Sequence, residues 1–264
     1  MADEQAIPDP ETDRALGKMS FMEHLGELRT RIMWSVVAAG VGIAIALFIT
    51  DPVMRFISRP LLAMKTDLVF TSPTEAFWTW MKVAMVLGIF ISMPGILFQV
   101  WKFVSPGLHE HEKKYAAPFI IIGSLLFLIG GTFAMLVIIP YASTFLVTFG
   151  QEKGWRPMLT VSSYTDFVIK FALAFGIVFE LPVVITILSL IGVVTPQFLS
   201  KNRKYAILIN FVIAAILTPT PDMINQTLMA GPLCILYEVG IICARLATRR
   251  RKATAPPPET AATP

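Results

Sequence analysis

Charge is scarce in this chain. Asp, Glu, Lys and Arg make up 15% of its 264 residues and hydrophobic residues 55%, where soluble domains carry about 25% charge. That excludes an ordinary soluble globular protein. Cysteine is nearly absent: Cys234 and Cys243 would stand about 13 Å apart on one helix, too far for a disulfide. Catalytic signatures are missing as well, with no HExxH, GxSxG, P-loop or glycine-rich dinucleotide fingerprint, so no enzyme activity and no nucleic-acid site is expected. Residues 1–19 lack an apolar core and carry Asp3, Glu4, Asp9, Glu11 and Asp13. They read as a disordered cytoplasmic tail rather than a signal peptide. His109 and His111 lie among glutamates on a short polar loop, which reads as a solvated run; no metal or cofactor is expected.

What the chain does have is long apolar runs, which predict an all-α polytopic membrane protein. Six spans are expected, at about 32–49, 81–100, 118–139, 167–194, 205–217 and 223–243. They form one membrane domain over 20–244, followed by a basic and then disordered tail over 245–264. The segment 50–79 has Pro52, Pro60 and Pro73 as breakers and apolar pieces too short to cross, so short surface helices or turns are expected there. Pro94 marks a kink in the second span. The fifth span has only 13 residues, about 20 Å of helix against a hydrocarbon core of about 30 Å. The turn after it must lie in a thinned bilayer or a water-filled cavity.

Positive charge is distributed unevenly. Fifteen Lys and Arg fall near the termini and in the loops 102–117 and 195–204, five fall in 50–79 and 143–163, and Lys82 and Lys170 lie within or beside spans. The positive-inside rule then puts both termini in the cytoplasm.

The stretch Ser20–Ile32 precedes the first span. Ser20 and Glu23 fit a capping box that starts a helix. Phe21, Leu25, Leu28 and Ile32 share one side of that helix, and Glu27 and Arg31, four apart on the other, are spaced to pair; Arg29 lies off the pair. The segment is predicted to lie along the lipid boundary and run into the membrane.

Three polar features are candidates for function. Glu27 and Glu112 could each take a guanidinium through two parallel hydrogen bonds, which lysine cannot reproduce; the plain alternative pairs them with Arg31 and with Lys113 or Lys114. Glu180, followed by Pro182, is a deep intramembrane acid, costly enough to suggest function, with helix–helix glue as the alternative. Thr218, Asp222, Asn225, Gln226 and Thr227 could serve internal packing or the docking of another transmembrane helix.

These residues also carry a resemblance. His24-Leu25-Gly26-Glu27-Leu28-Arg29-Thr30-Arg31, Phe103-Val104-Ser105-Pro106-Gly107-Leu108 with His111-Glu112, Phe175–Pro182, and Leu217–Asp222 with Asn225-Gln226-Thr227 resemble, in order, the motifs of the TatC family. TatC is the core subunit of the twin-arginine protein translocase. The resemblance covers residues 19–245 and implies a concave, glove-like fold with six spans and both ends cytoplasmic. It implies a receptor in the bacterial inner membrane for twin-arginine signal peptides of folded cargo, with other TatC copies and single-span TatA/TatB-type proteins as partners, driven by the proton motive force. Glu27, Glu112, Arg29, Arg31, Phe103 and Pro60 match its signal-peptide positions, and Glu180, Thr218 and Gln226 its partner-helix positions, with Asp222 beside them. Lys170, inside the outer end of span four, departs from the pattern; its stem would let the ammonium snorkel. The rival reading is a proton-coupled solute transporter with Glu180 as relay acid. Against it, the chain has no two-halves repeat.

Overall fold

The computed structural model describes residues 21–64, 67–107, 116–218 and 223–254. Its elements are α1 (Phe21–Ala46), α2 (Thr50–Ala63), β1 (Leu68–Val69), α3 (Glu75–Val104), α4 (Ala116–Phe133), α5 (Ile139–Glu152), β2 (Leu159–Thr160), α6 (Val161–Phe179), α7 (Leu181–Leu190), α8 (Pro196–Lys201), α9 (Arg203–Leu217) and α10 (Met223–Thr254). Five helical stretches are long and apolar enough to cross a membrane: 22–46, 75–104, 116–152, 161–190 and 226–249. At 15 residues, α9 is shorter than these, about 22 Å long.

The molecule has two ends. At one, here called the cap, α2 lies beside the short parallel pairing of Leu68 with Leu159 and Val69 with Thr160. The other, the terminal face, holds the start of α1, the end of α3, α8 and the basic end of α10. Glu75 seals the cap. Its carboxylate accepts from Thr71 N at 2.7 Å, Thr71 Oγ1 at 3.0 Å and Ser162 N at 3.0 Å, tying the start of α3 to the start of α6.

Helix packing runs through small residues. In lipid no hydrophobic force joins helices, so close van der Waals fit must. α1 packs along α3 where Gly42 faces Gly88: a Cβ on Gly42 would fall 2.3 Å from the Gly88 carbonyl oxygen, and one on Gly88 2.6 Å from the Ile43 backbone. α4 packs on α6 in the same way, with Gly130 against the Phe175 carbonyl and Gly176 against the Phe127 ring. Around this crossing a buried core joins Ile57 and Leu61 of α2, Val83 of α3, Ile138 at the head of α5, and Val168 and Phe175 of α6. Trp34, Val37, Val41 and Ile45 of α1, and Ile121 and Leu125 of α4, stay exposed, as a lipid-facing surface requires.

Several boundaries differ from expectation, each for a backbone reason. α2 is one helix with Pro60 inside it. Pro52 falls in its first turn, where the amide has no partner to lose, and only three residues follow Pro60, so one forfeited bond does not break the helix. The third span does not stop at 139. Helix continues to Glu152 through a five-residue π turn, Ala134–Ile138, placed just before Pro140. The wider turn accommodates a proline that cannot donate to the carbonyl four residues back. The fourth span is broken, because Glu180 ends α6 and Pro182 occupies the first turn of α7. α10 runs on to Thr254, so the basic segment after 244 continues the helix up to that residue.

Candidate functional site

The terminal face assembles the amphipathic start of α1 against the end of α3. His24 stacks on Phe103 with ring centroids 4.4 Å apart and planes 21° apart. Glu27 and Arg31 pair at 3.0 Å, the contact their spacing predicts. Glu27 is only 14% exposed. One of its oxygens accepts from Arg31, while buried Oε2 has no partner, and neither does Arg31 Nε. On α3, Gln99 Oε1 is also buried and unpaired. α1 and α3 run antiparallel, with Gly42 at Gly88 and His24 at Phe103, so Gln99 falls near the level of Arg31. Buried polar atoms in native folds are almost always hydrogen-bonded, so each of these atoms has capacity for a further partner, water or ligand. Arg29 is exposed beside them. Glu112 lies outside the described residues, as do His109 and His111.

Pro60 is elsewhere. It sits in α2 at the cap, separated from Glu27 by most of the length of α1, about 29 Å of helix. The expected signal-peptide set therefore divides into a cluster of Glu27, Arg29, Arg31 and Phe103 and a distant Pro60.

Glu180 occupies the joint between α6 and α7. It is 8% exposed; its backbone carbonyl accepts from Val183 and Val184, while side-chain Oε1 has no partner. The carboxylate lies over Gly123 of α4, where a Cβ would meet Oε2 at 3.1 Å and Leu97 Cδ1 at 2.6 Å. Glycine there makes room for the acid. Next to the joint, Leu126, Pro182, Val183 and Ile187 line an apolar groove of about 340 Å³ between α4, α7 and α10.

The polar residues near 220 behave differently. Thr218 donates to the Ala214 carbonyl of its own helix at 2.8 Å, and Gln226 of α10 donates to the Phe211 carbonyl of α9 at 3.1 Å. Both donors are used within the α9–α10 pair. Asp222 lies outside the described residues, as does the side chain of Asn225. Thr218 shares a crevice with Asp166 and Lys170 of α6. That places it 10 residues or more from Glu180 along the helix, about 15 Å. Glu180 and the Thr218–Gln226 pair are two separate places.

Sequence reasoning missed the ion pair of Lys82 on α3 with Asp166 on α6, at 2.8 and 3.0 Å. The available signal was one charge of each sign just inside two apolar runs. Both side chains are about 40% exposed, so a double-mutant cycle of Lys82→Gln with Asp166→Asn is expected to give a coupling of about 0.5–1 kcal/mol in thermal unfolding. Additive effects would show that the pair carries no net energy.

Apolar helices long enough to cross a membrane, joined through glycines and with an acid at a break in one of them, define the class: a multi-pass helical membrane protein. The sequence model described as "Sec-independent protein translocase protein (TatC)" matches residues 23–232. A TatC protein of Carboxydothermus hydrogenoformans is 44% identical over 227 residues, covering 86% of this chain and 93% of that one. A TatC protein of Aquifex aeolicus is 40% identical over 237 residues, covering 89% and 98%. A crystal structure described as the twin arginine translocase receptor TatC superposes with a TM-score of 0.72 at 41% identity, covering 86% of this chain and all of that one. The chain belongs to the TatC family, and it is a Sec-independent protein translocase subunit. The solute-transporter reading has no support in these relatives.

Proposed function

We propose that this subunit selects the paired arginines of signal peptides on folded cargo at its terminal face, and that this face is cytoplasmic. The six crossings of the bacterial inner membrane would be α1, α3, α4–α5, α6–α7, α9 and α10, with both termini on the cytoplasmic side. The observation that carries the reading is Glu27 Oε2, a buried carboxylate oxygen without a partner beside the stacked His24 and Phe103. A guanidinium reaching it would form a charge-assisted bond in a partly desolvated place, where such bonds contribute about 1.5–3 kcal/mol each. Arg29, Arg31 and Phe103 border the site, Glu112 supplies the second acid, and Pro60 acts from the cap. The test is binding of a labelled twin-arginine peptide to the purified protein beside the same peptide with two lysines. Tight binding of the first, lost with lysines and lost again in Glu112→Ala, is the expected result. Equal, weak binding of both would overturn the reading.

Glu180, Thr218, Gln226 and Asp222 would receive single-span TatA/TatB-type helices, alongside other copies of the chain, in transport driven by the proton motive force. Because Glu180 Oε1 is unpaired and its carboxylate stands on the α4 side of α3, beside Gly123 and Leu97, away from the α1 side that carries Glu27, Glu180→Ala is expected to weaken co-purification of such partners while leaving peptide affinity within about twofold. Equal loss of both functions would refute that division.

A further inference from the structure

Between α6 and the carboxyl end of α9 lies a crevice of about 680 Å³, lined by Ser163, Asp166, Phe167, Lys170, Leu217 and Thr218 among others. Its size is that of a small-molecule site. Its walls are of two kinds, the phenyl rings and leucine of a membrane-facing surface and a set of charged and hydroxyl groups. Asp166 is neutralised by Lys82 at 2.8 Å. Lys170, one turn further along α6, is exposed, and among the described residues no ion pair or hydrogen bond reaches its ammonium. Among the described residues the crevice therefore holds one uncompensated positive charge, within a helix apolar enough to cross the bilayer. Such a charge must meet water or an anion.

The neighbouring helix says which anion. α9 has 15 residues and ends at Leu217, and its last residues share the crevice with Lys170. At about 22 Å it falls short of a hydrocarbon core of about 30 Å, and a bilayer meets a short helix by thinning beside it. Headgroups of the cap-side leaflet then descend toward the level at which Lys170 stands. We propose that the crevice binds a phospholipid of that leaflet, its phosphate on the Lys170 ammonium and its acyl chains along Phe167, Phe171 and Leu217. A lysine suits this role, being a compact point charge on a flexible stem. The Lys82–Asp166 pair closes the wall behind it. This site rests on the chain's insertion in a membrane and not on signal-peptide recognition.

The test uses the full chain, purified in detergent, stripped of lipid and titrated with phosphatidylglycerol or with diacylglycerol of the same chains, bound lipid being read by native mass spectrometry. One phosphatidylglycerol per chain is expected to be retained in preference to diacylglycerol. Lys170→Gln should lose that retention by about tenfold or more, the scale of one charge-assisted hydrogen bond, and Lys170→Arg should keep it. Peptide binding measured on the same preparations should not change with Lys170→Gln, which separates this result from the receptor reading. Equal retention by wild type and Lys170→Gln would overturn the proposal. Displacement of the lipid by glycerol 3-phosphate at equal concentration would overturn the lipid as the source of the phosphate.

Discussion

Gly88→Leu is expected to abolish accumulation of the folded protein or to lower its stability by about 3 kcal/mol or more, beyond the usual cost of overpacking. The position has no slack. Even a methyl group would come within 2.6 Å of the Ile43 backbone, and backbone, unlike a side-chain tip, cannot swing away. Relief requires α1 and α3 to separate, and α1 packs on no other helix to a comparable extent. Fluorescence-detected size exclusion after a temperature ramp reads the effect. As a control, Gly26→Ala places its methyl in open space and should be neutral or slightly stabilising, because alanine favours helix over glycine by about 1 kcal/mol. A Gly88→Leu protein with wild-type melting would mean that the α1–α3 contact does not form in the membrane.

The second large effect falls on recognition. Glu27→Gln keeps the shape of the side chain and an oxygen able to accept from Arg31, and removes only the charge. Twin-arginine peptide affinity should fall by about 10- to 100-fold, the equivalent of one charge-assisted bond, and discrimination against twin-lysine should collapse. Because Arg31 is 25% exposed and keeps an acceptor in the glutamine amide oxygen, melting should move little. An unchanged peptide affinity would reduce the acid to a partner of Arg31 and nothing more. Titration calorimetry and a melting curve on one preparation distinguish the cases.

The parts legible in sequence were those written in local periodicity. The Glu27–Arg31 pair followed from a spacing of four, and the apolar runs of the helices from their length. What escaped depended on residues far apart in the chain. Nothing within reach of Lys82 announces Asp166, 84 residues away, and nothing local tells Thr218 that its neighbour is Lys170 rather than Glu180. Prolines misled in both directions. Pro60 looked like a breaker yet lies inside a helix, whereas Pro140, just past the expected span end at 139, lies in a helix that continues after a π turn no simple pattern encodes. The resemblance groups Pro60 with Glu27, and the structure sets the two at opposite ends of α1, because a family position says nothing about which end of a helix a residue occupies.

The seal made by Glu75 also sets an order of assembly. Its oxygen Oε1 takes the amide of Ser162, 87 residues downstream, and the strand register beside it joins residues 68–69 to 159–160. During synthesis α1 and α3 can zip together as soon as both are made, but this seam waits until the ribosome has passed α5 and begun α6. Contacts of such long sequence separation form late and slowly. A nascent chain halted before residue 159 would thus leave that seam open, and its closure reports that the chain from α1 through α5 has been made.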